Sequence, residues 1–110
     1  MDEVKNVKII KADIEIEDHG LMTFHLLVEG NGFGVSIGNY VGFNDNIIRA
    51  ILDTVGVNKW SELNGKYCRI KTSGWGSIVK DIGNIIEDKW INLEELYNKE
   101  YDKERGEDDE

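Results

Sequence analysis

The chain has 110 residues, 40% of them hydrophobic, and a formal net charge of −9. That length fits one domain with a small core, and the acid excess excludes a surface built to wrap a nucleic-acid backbone, whose phosphates it would repel. No apolar run approaches the ~20 residues of a bilayer span, no apolar leader opens the chain, and the single cysteine, Cys68, cannot close an internal disulfide. Together these features predict a protein of a reducing, cytoplasmic compartment.

Glu3 to Glu17 predicts a long strand. Ile10, Ala12, Ile14 and Ile16 alternate with Lys11, Asp13, Glu15 and Glu17, which is period two with one polar face. Val7 and Ile9 fall on the opposite parity, so a bulge or a second buried face is expected near Lys8. Asp18, His19 and Gly20 form a turn. The returning strand, Leu21 to Glu29, carries Met22, Phe24, Leu26 and Val28 on one face. After the turn Gly30-Asn31-Gly32, a third strand alternates Phe33, Val35 and Ile37 with Gly34, Ser36 and Gly38, completing a meander.

Asn44 reads as the cap of a helix whose stripe is Ile47, Ile48, Ile51, Leu52 and Val55, ended by Gly56. Arg49 and Asp53 lie off that stripe at i,i+4 spacing. Trp60 to Leu63 predicts a short helical turn or loop, closed by Asn64-Gly65. Strands four and five are expected at Lys66 to Lys71 and Ile78 to Ile86, with a loop Ser73-Gly74-Trp75-Gly76-Ser77 between them and a bulge at Gly83-Asn84. Asn92 caps a last helix carrying Leu93, Leu96, Tyr97 and Tyr101. The fold class predicted is α+β: a mostly antiparallel five-stranded sheet with one packed helix and one C-terminal helix. Residues 1–103 form the domain and residues 104–110 a flexible acidic tail. Residues 100–110 hold seven acids against two bases, so the tail carries much of the imbalance.

Catalytic sets are scarce. His19, His25 and Cys68 are too few and too scattered for a zinc site, and no metal or cofactor is expected. Cys68 shares a strand face with Ile70 and reads as a buried, inert thiol. Asp13, Glu15 and Glu17 share a solvated face, where a solubility role outweighs an acid–base dyad. The glycine-rich run Gly30 to Gly38 is followed by a strand rather than a helix N-terminus, so it lacks the phosphate-cradling context of a dinucleotide fingerprint. The pattern favours binding over chemistry. Phe33 and Trp75 each stand between glycines, which leave a ring face uncovered for stacking. Tyr67, Arg69 and Lys71 share one face of strand four, a basic patch able to meet a phosphate, and salt bridges to Asp81 or Glu87 are the alternative use of those cations. Trp60 and Trp90 read as core or interface anchors.

Several blocks, in order and spacing, resemble the first type of Thoeris anti-defence proteins of phages. They are Ile16-Glu17-Asp18-His19-Gly20 with Thr23-Phe24, Gly30 to Gly34, Ile48 to Trp60 with Leu63-Asn64-Gly65-Lys66, Arg69-Ile70-Lys71, and Gly83 to Trp90. The resemblance implies a non-enzymatic sponge in the host bacterial cytoplasm. It would bind cyclic ADP-ribose isomers, with cyclic oligonucleotides as a further ligand class, as a homodimer or a hexamer built from dimers. It further implies that Trp75 or Phe33 stacks on adenine, that Arg69 and Arg49 meet the pyrophosphate, and that Asn84 and Asn39 read polar edges. Lys71 adds charge to the Arg69 face, and Arg105 is the remaining arginine. The connection from Gly38 to Asn44 is short where such proteins often carry an insertion. A different class of reading is an acidic DNA mimic that blocks a host nuclease or CRISPR complex by direct contact, with Asp13, Glu15 and Glu17 as its carboxylate row.

Overall fold

Six antiparallel strands form one sheet in the computed structural model, which describes residues 3–30, 32–38, 40–43, 45–73 and 78–98. In chain order they are β1 (Glu3–Ile16), β2 (Met22–Gly30), β3 (Phe33–Gly38), β4 (Tyr67–Thr72), β5 (Asp81–Asn84) and β6 (Trp90–Asn92). Their spatial order is β3-β2-β1-β4-β5-β6, so β1 lies at the centre of two meanders. The chain leaves β3 at one edge and re-enters at β4 beside β1. Helix α1 (Asp45–Val55) and a 3-10 turn (Trp60–Leu63) fill that crossing. A second helix, α2, covers residues 93–98. The fold is α+β, with six strands where five are predicted.

The helices lie on one face of the sheet. α1 packs on β5 and β6, and the 3-10 turn packs on β1. Phe24, Leu26 and Val28 of β2, Ile70 of β4 and Ile82 of β5 meet Ile47 and Ile51 of α1, Leu63 and Leu93 in one buried cluster. Each such side chain contributes on the order of 1.5–3 kcal/mol by leaving water. Phe24 is an aromatic hub: Phe43 and Trp60 meet it edge-on and Tyr40 stacks on it. Trp60 is thus a core anchor, as its sequence context predicts. Gly56 ends α1 with φ +94°, a conformation costly for any side chain. The Asn92 side chain accepts the Glu95 N–H at 2.8 Å and caps α2. The predicted cap Asn44 and the acidic tail lie outside the described residues.

Two strand readings are corrected. The bulge expected near Lys8 falls between Ile9 and Lys11, so that Ile10 does not share the face of Ala12. Val7 and Ile9 before it, and Ala12 after it, therefore share the core face, while Ile10 is exposed. Ile14 and Ile16 keep the parity of Ala12 but run past the core and stand exposed. The predicted strand Ile78 to Ile86 is shorter, and the chain reverses after Asn84 so that Trp90–Asn92 returns beside it as β6. Gly83 is a regular rung of this hairpin rather than a bulge. A Cβ there would stand 2.6 Å from the Trp90 ring, so only glycine lets that ring lie flat on the strand.

Candidate functional site

Cys68, Ile70 and Thr72 point into the core, and alternation turns Tyr67, Arg69 and Lys71 to the opposite face of β4. Register then places Lys8 beside Tyr67, Asn6 beside Arg69 and Val4 beside Lys71 on β1. On the other side Arg69 stands opposite Gly83 and Lys71 opposite Asp81. Trp90, opposite Gly83 on β6, lies across that glycine toward β4. Among the described residues no helix covers this face.

Its cations surround its rings. The Arg69 guanidinium lies 5.0 Å and the Lys71 ammonium 4.7 Å from the Trp90 ring centre. The Lys8 ammonium lies 5.9 Å from that of Tyr67. Such contacts hold each charge against a negative ring face. Arg69 is further fixed: its Nε donates to the Asn84 carbonyl at 2.6 Å and its Nη2 to the Glu87 carbonyl at 2.7 Å. Both bonds go to the backbone of the β5–β6 hairpin, so the guanidinium keeps its full charge while its position is set. Lys5, Lys11, Arg49, Lys80 and Lys89 each pair with a carboxylate. Lys8, Arg69 and Lys71 have no carboxylate partner among the described residues, although Asp81 stands opposite Lys71. The Asp81 carboxylate instead accepts from the Asn92 amide at 3.0 Å.

The sequence candidates divide between the two faces. Arg69 and Lys71 come together on the open face. Phe33 packs against the core on the helix side, with the Lys5 ammonium 5.6 Å from its ring centre. Arg49 lies on α1 and binds Asp45 at 2.9 Å, with both side chains exposed; Asp53, at the i,i+4 position, pairs with Lys89 instead. Asn84 is engaged at both ends. Its Nδ2 donates to the Thr54 carbonyl at 2.9 Å, and its Oδ1 accepts from the Ile86 and Glu87 N–H groups at 2.8 Å each. Trp75, Asn39 and Arg105 lie outside the described residues.

Lys8 and Trp90 are the members of this cluster that the sequence argument did not place there. Lys8 joins through the bulge, which sets the parity of early β1. Trp90 joins through a three-residue strand whose Trp-Ile-Asn alternation is the available signal. The remaining reactive groups are occupied elsewhere. Burial pushes the Cys68 thiol up to about 12, so it stays protonated. His19 contacts Glu17 at 3.0 Å and His25 contacts Glu15 at 3.2 Å. The His19 hydrogen bond is the main reason that the Glu17 carboxyl lies below its ordinary range. Among the described residues no group of three or more His, Cys, Asp or Glu side chains is placed to hold a metal ion. No family model matches the chain, and neither a curated protein nor a solved structure matches it.

Proposed function

We propose that the chain captures a small phosphate-bearing signal, of the cyclic ADP-ribose or cyclic oligonucleotide type, and holds it without cleaving it. This is the activity of the phage anti-defence sponges that its sequence blocks resemble. In that role it would work in the host bacterial cytoplasm as a homodimer or a hexamer built from dimers. The observation that carries the reading is the open-face cluster, in which Lys8, Arg69 and Lys71 lack acid partners among the described residues in a chain of net charge −9. Unpaired cations held against rings favour an incoming anion, since no internal ion pair has to be broken first.

Roles follow from geometry. Lys71 and Lys8 supply ammonium groups to phosphate oxygens. Arg69, anchored through Nε and Nη2, keeps Nη1 to donate. Tyr67 is exposed and offers a ring to a base. Trp90, with Gly83 beneath it and two cations at its ring, acts as the seat for the charges rather than as the stacking partner.

Calorimetry with a cyclic ADP-ribose isomer and with a cyclic trinucleotide tests this. The expected result is saturable binding to one of them and release of the intact molecule on heat denaturation. Lys71→Ala should weaken that binding by about tenfold, the loss of roughly one charge-assisted contact, without moving the melting temperature. Binding of neither ligand, a cleaved product, or unchanged affinity in Lys71→Ala overturns the proposal.

A further inference from the structure

β1 outruns its neighbour on one side. It pairs with β4 only over Glu3 to Lys8. The Gly65 N–H then donates to the Ile9 carbonyl at 2.7 Å, and the Ala12 N–H donates to Asn64 Oδ1 at 2.9 Å. Beyond Ala12 that edge changes character. The Glu17 N–H donates to the Leu21 carbonyl at 2.8 Å, which fixes the hydrogen-bonding phase of the β1–β2 hairpin. Glu15 and Asp13, opposite Thr23 and His25, then bond across to β2. Ile14 and Ile16 turn their N–H and C=O groups the other way. Among the described residues no backbone group meets them. An unpaired strand edge is a template for a further strand.

The side chains of the edge define what fits it. Ile14 is 36% and Ile16 69% exposed, and Met22, opposite Ile16, is exposed beside them. These apolar groups share one face of the hairpin. Asp13 and Glu15 occupy the other face, where each has one exposed or half-exposed partner, Lys11 at 3.5 Å and His25 at 3.2 Å, and residues 11–22 hold four acids against one lysine. A second copy of the chain, paired symmetrically about Glu15, would set Glu15 against Glu15 and Asp13 against Glu17, which like-charge repulsion disfavours.

We propose that the edge Ala12–Ile16 takes an extended segment of another protein as an added β-strand, and that the segment alternates apolar and basic residues. Its apolar side chains lie beside Ile14 and Ile16, and its basic ones beside Asp13 and Glu15. Backbone bonds supply the affinity and the alternating side chains supply the choice of partner. The edge lies on the order of 20 Å along β1 from Lys8, so this docking surface is separate from the anion cluster and does not rest on it.

The test titrates the isotope-labelled full chain with the capped peptide Lys-Ile-Lys-Val-Lys-Ile while following amide resonances. Two controls are the same peptide with Glu in place of each Lys, and the basic peptide N-methylated at alternate amides. The expected result is saturable shifts centred on Ile14 and Ile16, binding about tenfold tighter for the basic than for the acidic peptide, and loss of binding on methylation. Glu15→Lys, checked for an otherwise unchanged spectrum, should reduce that preference. Equal affinity for the two peptides, shifts centred elsewhere, or binding that survives methylation overturns the proposal. So do concentration-dependent shifts at Ile14 and Ile16 without peptide, which would give the edge to a second copy.

Discussion

Arg69 and Lys71 stand two residues apart on one strand face, yet their surroundings assign them different work. Arg69 is tied into the fold by two hydrogen bonds to the β5–β6 hairpin and by its place against Trp90. Lys71 has the ring contact alone. Arg69→Ala leaves the Asn84 and Glu87 carbonyls without these donors and uncovers the Trp90 ring. The expected cost is about 1–2 kcal/mol of stability, read from urea unfolding, whereas Lys71→Ala should unfold as the parent does. Equal stability of Arg69→Ala and the parent would mean that water replaces the guanidinium at no cost. This division of labour is hidden in the sequence. Alternation assigns Arg69 and Lys71 to the same face, but Arg69 binds backbone carbonyls, which carry no residue-type signal. The alternative use of these cations, salt bridges to Asp81 or Glu87, is not seen among the described residues: Arg69 takes the carbonyl of Glu87 rather than its carboxylate.

Periodicity makes the long elements legible and leaves the short ones dark. β2, β3 and α1 carry clean patterns, and their predicted bounds agree with the structure to within a residue or two. β6 has three residues, too few for any period to stand out, which is why the sequence predicts five strands and not six. The bulge was expected from the parity change between Ile9 and Ala12. Ile14 and Ile16 share the parity of Ala12 and so read as core, but the core ends before them. Asn84 shows the same limit at a candidate site position. A polar residue beside glycine reads as a ligand contact or a bulge. In the structure it ties the β5–β6 hairpin to the end of α1 through the Thr54 carbonyl while closing its own turn through Oδ1. Asn84→Asp keeps the acceptor and loses the donor, so thermal unfolding should report a loss of about 1 kcal/mol or more, with a carboxylate now facing a carbonyl. Asn84→Ala should cost more, since it releases two further N–H groups. If both variants melt with the parent, the hairpin is held by other bonds.

At the scale of the molecule, β1 is the axis. Fourteen residues of strand reach on the order of 45 Å, close to the greatest dimension of 47 Å. One half of that strand bears Lys8 and pairs with β4, which carries Arg69 and Lys71, three cations without a carboxylate partner among the described residues, and the other half bears the acidic, open-edged arm. The net charge of −9 therefore conceals a division in which, on the proposed function, a local attraction for anions works against a general repulsion. Salt screens both, with a Debye length of about 8 Å at 0.15 M. The proposed contacts of a phosphate with Lys8, Arg69 and Lys71 would act at shorter range than that, while the repulsion from the distant acids acts across it. Removing residues 104–110 takes away five acids and Arg105, which separates the two effects. The expected result is that nucleotide affinity at low salt stays the same or rises, and that the difference between truncated and full chains shrinks as salt is added. A loss of affinity on truncation would instead assign Arg105 a direct place in the site, and the open-face cluster would no longer suffice to hold the ligand.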